Sequence, residues 1–225
     1  MKRKQGINKT TEPIRVMSHY EKLSSFLLNR NLRDYALFNF GIYTGRRISD
    51  ITALNVSDVI EAGMDKGRFK FKELLKIQEK KTGKFAEIPL TDNARKPLGK
   101  YLRQRRKESE KRGESVAEFM REPLFKSQKP RKDGEFRLTG KSAWRILRNG
   151  ARACGMNEHM GTHSLRKTYG YILYHSGISI ETIQKLLNHA SPSITLAYIG
   201  IMQDDLNDAM WRMDIKNLRT DYEAF

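Results

Sequence analysis

Apolar residues recur at helical spacing along most of this chain, and one stretch, residues 68 to 90, breaks that rhythm. There R-F-K-F-K alternates basic with aromatic residues. F-A-E-I-P-L then follows Lys81-Thr82-Gly83-Lys84, the pattern of strands joined by a tight glycine-containing turn. A chain with one such interruption between helical segments is expected to be mainly α with a small antiparallel β-sheet, an α+β fold. Lys81 then sits near a hairpin tip.

The helical segments carry their own punctuation. Ser18-His19-Tyr20-Glu21 fits a capping box before a helix over about 18 to 30. Tyr35, Phe38 and Ile42 mark a second helix ending at Gly45, a residue suited to a left-handed C-cap. A third helix is expected over roughly 47 to 54, with Ile48, Ile51 and Leu54 inward, followed by a turn at Asn55 to Asp58. A charged helix covers 91 to 112 and stops at Gly113. The stretch from 126 to 137 is basic and loop-like, with the dipeptide Asp133-Gly134, and could lie along a DNA backbone. Helices are expected again over 140–154, 163–176, 179–188, 192–200 and 203–215. There is no internal repeat and no low-complexity tract.

The 225 residues suit one large domain or two small ones, the single domain being favoured, and 43 basic against 26 acidic residues give a formal net charge of +17. Such a surface favours a polyanionic partner, nucleic acid first, although charge also serves solubility alone. No long apolar run or signal peptide is present, so no membrane partner is expected. A single cysteine, Cys154, excludes an internal disulfide and a cysteine zinc cluster, and points to a reducing, cytoplasmic compartment.

Several side chains have the chemistry of a phosphodiester site. His163 and Arg166 are three apart and share one helix face, where both could contact one phosphate; the same spacing is common in surface pairs. His189 stands just before Ser191-Pro192, a strong helix-start signal, and could equally be a packing residue. Tyr198 falls among Ile194, Leu196 and Ile199. It reads either as a core aromatic or as a nucleophile, given a proton acceptor and cations around it. Arg47 follows the Gly45 turn and either presents a fork to phosphate or pairs with Asp50. Lys81, near Lys76, Lys80 and Lys84, could be one member of a solvated basic patch.

Taken together, T-G-R-R-I-S-D at 44–50, K-T-G-K-F-A-E-I-P-L at 81–90, H-S-L-R-K-T at 163–168 and L-L-N-H-A-S-P-S-I-T-L-A-Y-I at 186–199 resemble the catalytic domain of the tyrosine recombinases, the phage integrase family. The resemblance covers about 14 to 202. It implies catalytic roles for Arg47, Lys81, His163, Arg166, His189 and Tyr198, with Asp50 orienting its neighbours from behind them.

The resemblance further implies that Tyr198 attacks DNA to give a 3′-phosphotyrosyl link and a free 5′-hydroxyl. Arg47, Arg166 and His189 would stabilise the transition state, with Lys81 as general acid and His163 as base. No ATP, metal or other cofactor is expected, in keeping with a sequence that has no P-loop. The implied partners are double-stranded DNA, further copies of the chain in a tetrameric synapse, and accessory DNA-bending proteins. Residues 1–13 are expected to be a basic tail, and 203–225 a C-terminal helix or tail that docks on its own core or on a neighbouring protomer. The separate N-terminal DNA-clamping domain of family members is expected to be absent. The competing readings are a DNA-binding regulator that has kept the fold without catalysis, and a type IB topoisomerase.

Overall fold

The structure is a computed structural model that describes residues 11–65, 68–156, 159–201 and 210. In chain order its elements are α1 (Met17–Arg30), α2 (Leu32–Thr44), α3 (Ile48–Ile51), α4 (Val56–Val59), β1 (Ile60–Asp65), β2 (Arg68–Phe71), β3 (Leu74–Gln78), β4 (Phe85–Pro89), α5 (Asp92–Lys111), α6 (Val116–Arg121), α7 (Gly140–Ala153), α8 (Thr162–His175), α9 (Ile180–Leu187) and α10 (Pro192–Ile199).

Helix α2 is the centre. Every residue from Ala36 to Ile42 is buried, including Asn39, whose amide donates to Tyr35 O and accepts from the Tyr20 hydroxyl. Ala36, Leu37 and Phe40 face a cluster with Leu75, Ile88, Leu98, Leu102 and Phe119, joining α2 to the β3–β4 hairpin, α5 and α6. Phe38 and Ile42 face a second cluster with Leu23, Leu27, Leu147 and Leu165, from α1, α7 and α8. A third, smaller cluster of Ile183, Leu187, Ile199 and Ile201 holds α9 and α10 together beside α8. That cluster carries the C-terminal motif.

Four expectations are corrected. The sheet is not one hairpin: β1 pairs with β2, and β3 pairs separately with β4, both antiparallel. The R-F-K-F segment therefore bonds backwards in sequence, because L-L-K-I-Q supplies the alternation that the second hairpin needs, with Leu75 and Ile77 buried. The helix over 47–54 is a single turn, after which Asp58 accepts the Asn55 N–H at 2.7 Å and opens another single turn, α4. No side chain caps α1, whose N-cap is Val16, so the Ser18–Glu21 capping box does not form. Docking of the preceding chain sets that helix start: Ile14 N donates to Thr168 Oγ1 at 2.8 Å and Glu12 N to His159 O at 3.2 Å. Glu12 and Pro13, assigned to the tail from sequence, thus lie against the body.

The basic stretch 126–137 is a loop, closed by an antiparallel bridge between Lys126 and Arg137. Part of its charge is consumed internally. Arg137 donates to the carbonyls of Thr52, Ala53 and Leu54 and to Asn55 Oδ1 at 2.7 Å, while Lys126 pairs with Glu122. The expected 203–215 helix lies, apart from residue 210, outside the described residues. Among the described residues no helix is long and apolar enough to cross a membrane.

Candidate active site

Gly45 ends α2 in the left-handed conformation, φ 61°, and its missing side chain admits the Tyr169 ring. The turn sends the next two arginines in different directions. Arg46 goes inward, 4% exposed, and donates to Thr44 O at 3.2 Å, Leu186 O at 2.7 Å and Glu79 Oε1 at 3.2 Å. Arg47 lies at the edge of the site and donates from one nitrogen, Nη1, to Glu79 Oε2 at 2.8 Å. Among the described residues its other N–H groups make no hydrogen bond. Asp50 does not pair with Arg47; its Oδ1 accepts the backbone N–H of Lys80 at 3.0 Å and so anchors the β3–β4 turn.

Arg166 sits in the second turn of α8, 2% exposed. It donates from Nη1 to Gly45 O at 2.8 Å and from Nη2 to Leu187 O at 2.5 Å. These carbonyls belong to the C-terminal ends of α2 and α9, whose partial negative charge compensates a buried guanidinium. Burial, followed by the nearby Arg46 and Arg47 charges, pulls its pKa down to about 10, which still leaves it charged at neutral pH.

Gly170, four residues beyond Arg166 on α8, lets α10 approach: a Cβ there would stand 2.6 Å from Ile199 Cγ2. This packing brings Tyr198, in the last turn of α10, over the first turn of α8. Its hydroxyl lies 3.4 Å from His163 Nδ1, its ring meets the His189 ring edge-on at 4.8 Å between centroids, and Lys167 Nζ stands 5.2 Å from its ring centroid. Asn188 closes α9 in the left-handed conformation, φ 54°, and turns the chain so that His189 faces this group, with its Nδ1 3.1 Å from Thr195 Oγ1.

The electrostatics follow from burial inside a cationic cluster. Burial raises the Tyr198 pKa, and Arg166 and Arg47 offset part of that rise. Burial lowers the His163 pKa, reinforced by Arg166, Lys167, Arg47 and Lys81. His189 is lowered by burial, then by Arg166 and Arg47. Both imidazoles are therefore predominantly neutral at pH 7.

Lys81 stands at the exposed tip of the β3–β4 turn. That turn is tied back to the site, since Lys84 Nζ donates to Asn188 Oδ1 at 3.2 Å. The structure thus gathers Arg47, His163, Arg166, His189 and Tyr198 into one cluster, with Lys81 near enough to act on the His163 charge. Asp50 stands behind, acting on backbone.

The phage integrase family matches this chain over residues 17–203. The chain belongs to the phage integrase family. It is 38% identical over 193 residues to the probable integrase/recombinase YoeC of Bacillus subtilis, covering 86% of this chain and 91% of that protein. Among solved structures it is similar to XerA recombinase, with a TM-score of 0.64 at 19% identity, over 96% of this chain and 68% of that one. It is also similar to XerH recombinase bound to its palindromic difH substrate in a post-cleavage complex, with a TM-score of 0.63 at 18% identity, over 91% of this chain and 53% of that one. The fold is that of the tyrosine recombinase catalytic domain. The chain spans between half and two thirds of the length of other curated tyrosine recombinases it matches.

Within this integrase fold, sequence reasoning missed four residues of the site. Glu79 and Arg46 form the buried ion pair beneath Arg47, Asn188 turns the chain into His189, and Lys167 covers the Tyr198 ring. One signal was available: a lone acid in Glu79-Lys80-Lys81, next to a hairpin turn and following a strand whose buried positions alternate.

Proposed function

We infer that this integrase-family chain is a site-specific recombinase that breaks and rejoins double-stranded DNA through a 3′-phosphotyrosyl intermediate. The observation that carries the reading is the Tyr198 hydroxyl, 3.4 Å from a neutral imidazole and backed by two arginines.

The Tyr198 oxygen attacks phosphorus and its proton passes to His163 Nδ1. The present 3.4 Å separation is long for an O–H···N bond, and such contacts tighten when substrate binds. A proton acceptor is needed because burial raises the Tyr198 pKa. Charge that develops on the non-bridging oxygens meets Arg47, Arg166 and His189. Arg166 has N–H groups beyond the two that its carbonyl contacts use among the described residues, and both arginines are held in place before the reaction begins. The P–O5′ bond breaks as Lys81 protonates the departing oxygen. Rejoining runs the same steps backward with another strand's 5′-hydroxyl, so the bond energy is kept in the phosphotyrosyl ester and no ATP is required.

Duplex DNA as the substrate is supported by the +17 net charge and by the complex of the similar XerH site-specific recombinase with its palindromic difH substrate. Strand exchange requires two duplexes and therefore several protomers; a tetramer on DNA with accessory bending proteins is the assembly the family resemblance implies. A DNA substrate and a single buried cysteine fit a cytoplasmic location. In the decisive test, nicked duplexes from the protein's own genetic neighbourhood are incubated with the wild type and with Tyr198→Phe. An SDS-resistant adduct formed only by the wild type supports the reading; a band shift with no adduct from either protein contradicts it.

A further inference from the structure

Glu79 is 1% exposed, yet it carries a charge and none of the roles above uses it. Its Oε1 accepts Arg46 Nη1 at 3.2 Å, and its Oε2 accepts Arg47 Nη1 at 2.8 Å, Thr82 Oγ1 at 2.7 Å and Asn188 Nδ2 at 3.3 Å. These donors come from three segments: the Gly45 turn, the β3–β4 turn and the end of α9. Its main chain closes the β3–β4 turn as well, with Glu79 N donating to Lys84 O at 2.9 Å and Gly83 N donating to Glu79 O at 2.8 Å. Lys81 lies inside that closed loop, two residues from the carboxylate. Among the described residues its own side chain makes no hydrogen bond or ion pair, so its place is set by the loop.

A buried carboxylate shared by two arginines costs desolvation, which several donors must offset. Here the donors are the parts that cleavage needs in register. We propose that Glu79 is a positioning residue for strand cleavage: it clamps the Lys81-bearing turn onto the Arg46–Arg47 turn and thereby sets where the leaving-group proton donor stands. The proposal rests on the reading of Lys81 as general acid. In the step concerned the Tyr198 oxygen bonds to phosphorus, the P–O5′ bond breaks, and the O5′ electron pair takes a proton from the Lys81 ammonium. A misplaced Lys81 leaves a poor alkoxide leaving group. A sulfur in the 5′-bridging position removes that demand, because a thiol is far more acidic than an alcohol, with the cysteine thiol at about 8.5, and a thiolate departs unprotonated.

The experiment compares wild type, Lys81→Ala, Glu79→Gln and Thr82→Val on a nicked suicide duplex that the wild type cleaves, made with either oxygen or sulfur at the scissile 5′ position. On the oxygen duplex, Glu79→Gln and Thr82→Val are expected to cleave roughly 10- to 100-fold more slowly than wild type. On the sulfur duplex both are expected to recover most of the wild-type rate, as Lys81→Ala does. Thr82 lies on the exposed turn, so its variant decides the matter even where Glu79→Gln fails to fold. Wild-type rates on oxygen, or equal losses on oxygen and sulfur while Lys81→Ala is rescued, would overturn the role of Glu79 alone. No rescue of Lys81→Ala would overturn the general-acid reading of Lys81, and the proposal with it.

Discussion

Arg166 joins two helix ends: its Nη1 donates to Gly45 O at the close of α2 and its Nη2 to Leu187 O at the close of α9. One buried side chain thus fixes both the turn that aims Arg47 and the turn that aims His189. Arg166→Lys, with a single point charge in place of a planar fork, cannot hold both carbonyls. Cleavage by this variant should fall by about 10²- to 10³-fold, the usual loss for a transition-state donor, with DNA affinity changed far less. Single-turnover cleavage measured beside a band-shift titration separates the two effects.

The pH dependence follows from His163. The base works in its neutral form, and burial together with neighbouring cations lowers its pKa below the ordinary value of about 6.5. Cleavage should therefore rise with pH along a limb whose midpoint lies below about 6.5 and be level by neutrality. In His163→Ala that limb should vanish along with most of the activity. A midpoint well above 7 would contradict the assignment of His163 as base.

Glu79 makes the fold sensitive to acid. Burial alone would raise its pKa, but donation by Thr82, Arg47 and Asn188 outweighs burial and brings it to about 2, from 4.5. Its contribution to stability is thus fully present above pH 4.5 and is lost as pH falls toward 2. Urea midpoints measured across this window should decline for the wild type, and more shallowly for Glu79→Gln.

Gly170→Ala probes the packing of α10 without touching any reacting group. The added Cβ, 2.6 Å from Ile199 Cγ2, must push α10 outward and carry Tyr198 away from His163. A loss of about 1–3 kcal/mol in stability is expected from overpacking, with cleavage reduced more than DNA binding. Thermal melts and adduct yields test the two parts.

Much of this architecture was legible in the chain because its punctuation is local. Gly45, Gly177 and Ser191-Pro192 end or start helices where their conformational preferences say they should. The resemblance of four motifs singled out the residues that the fold gathers. The β-region was harder to read, since L-L-K-I-Q is short and abuts the R-F-K-F strand, so that adjacency alone did not give the pairing. Glu79 and Arg46 were harder to read for a different reason. A charge amid other charges reads as solvated, and only the convergence of α2, α9 and the β3–β4 turn buries these two. For the same reason Arg47 could be placed at a turn but not assigned its true partner, Glu79 in place of Asp50.

The most direct test of the mechanism is peptide mass spectrometry on the adduct trapped from wild-type protein and a nicked duplex, after nuclease digestion. The mechanism predicts a nucleotide remnant esterified through its 3′-phosphate to Tyr198, with the released strand ending in a 5′-hydroxyl. A remnant on any other residue, or a released strand bearing a 5′-phosphate, would contradict it.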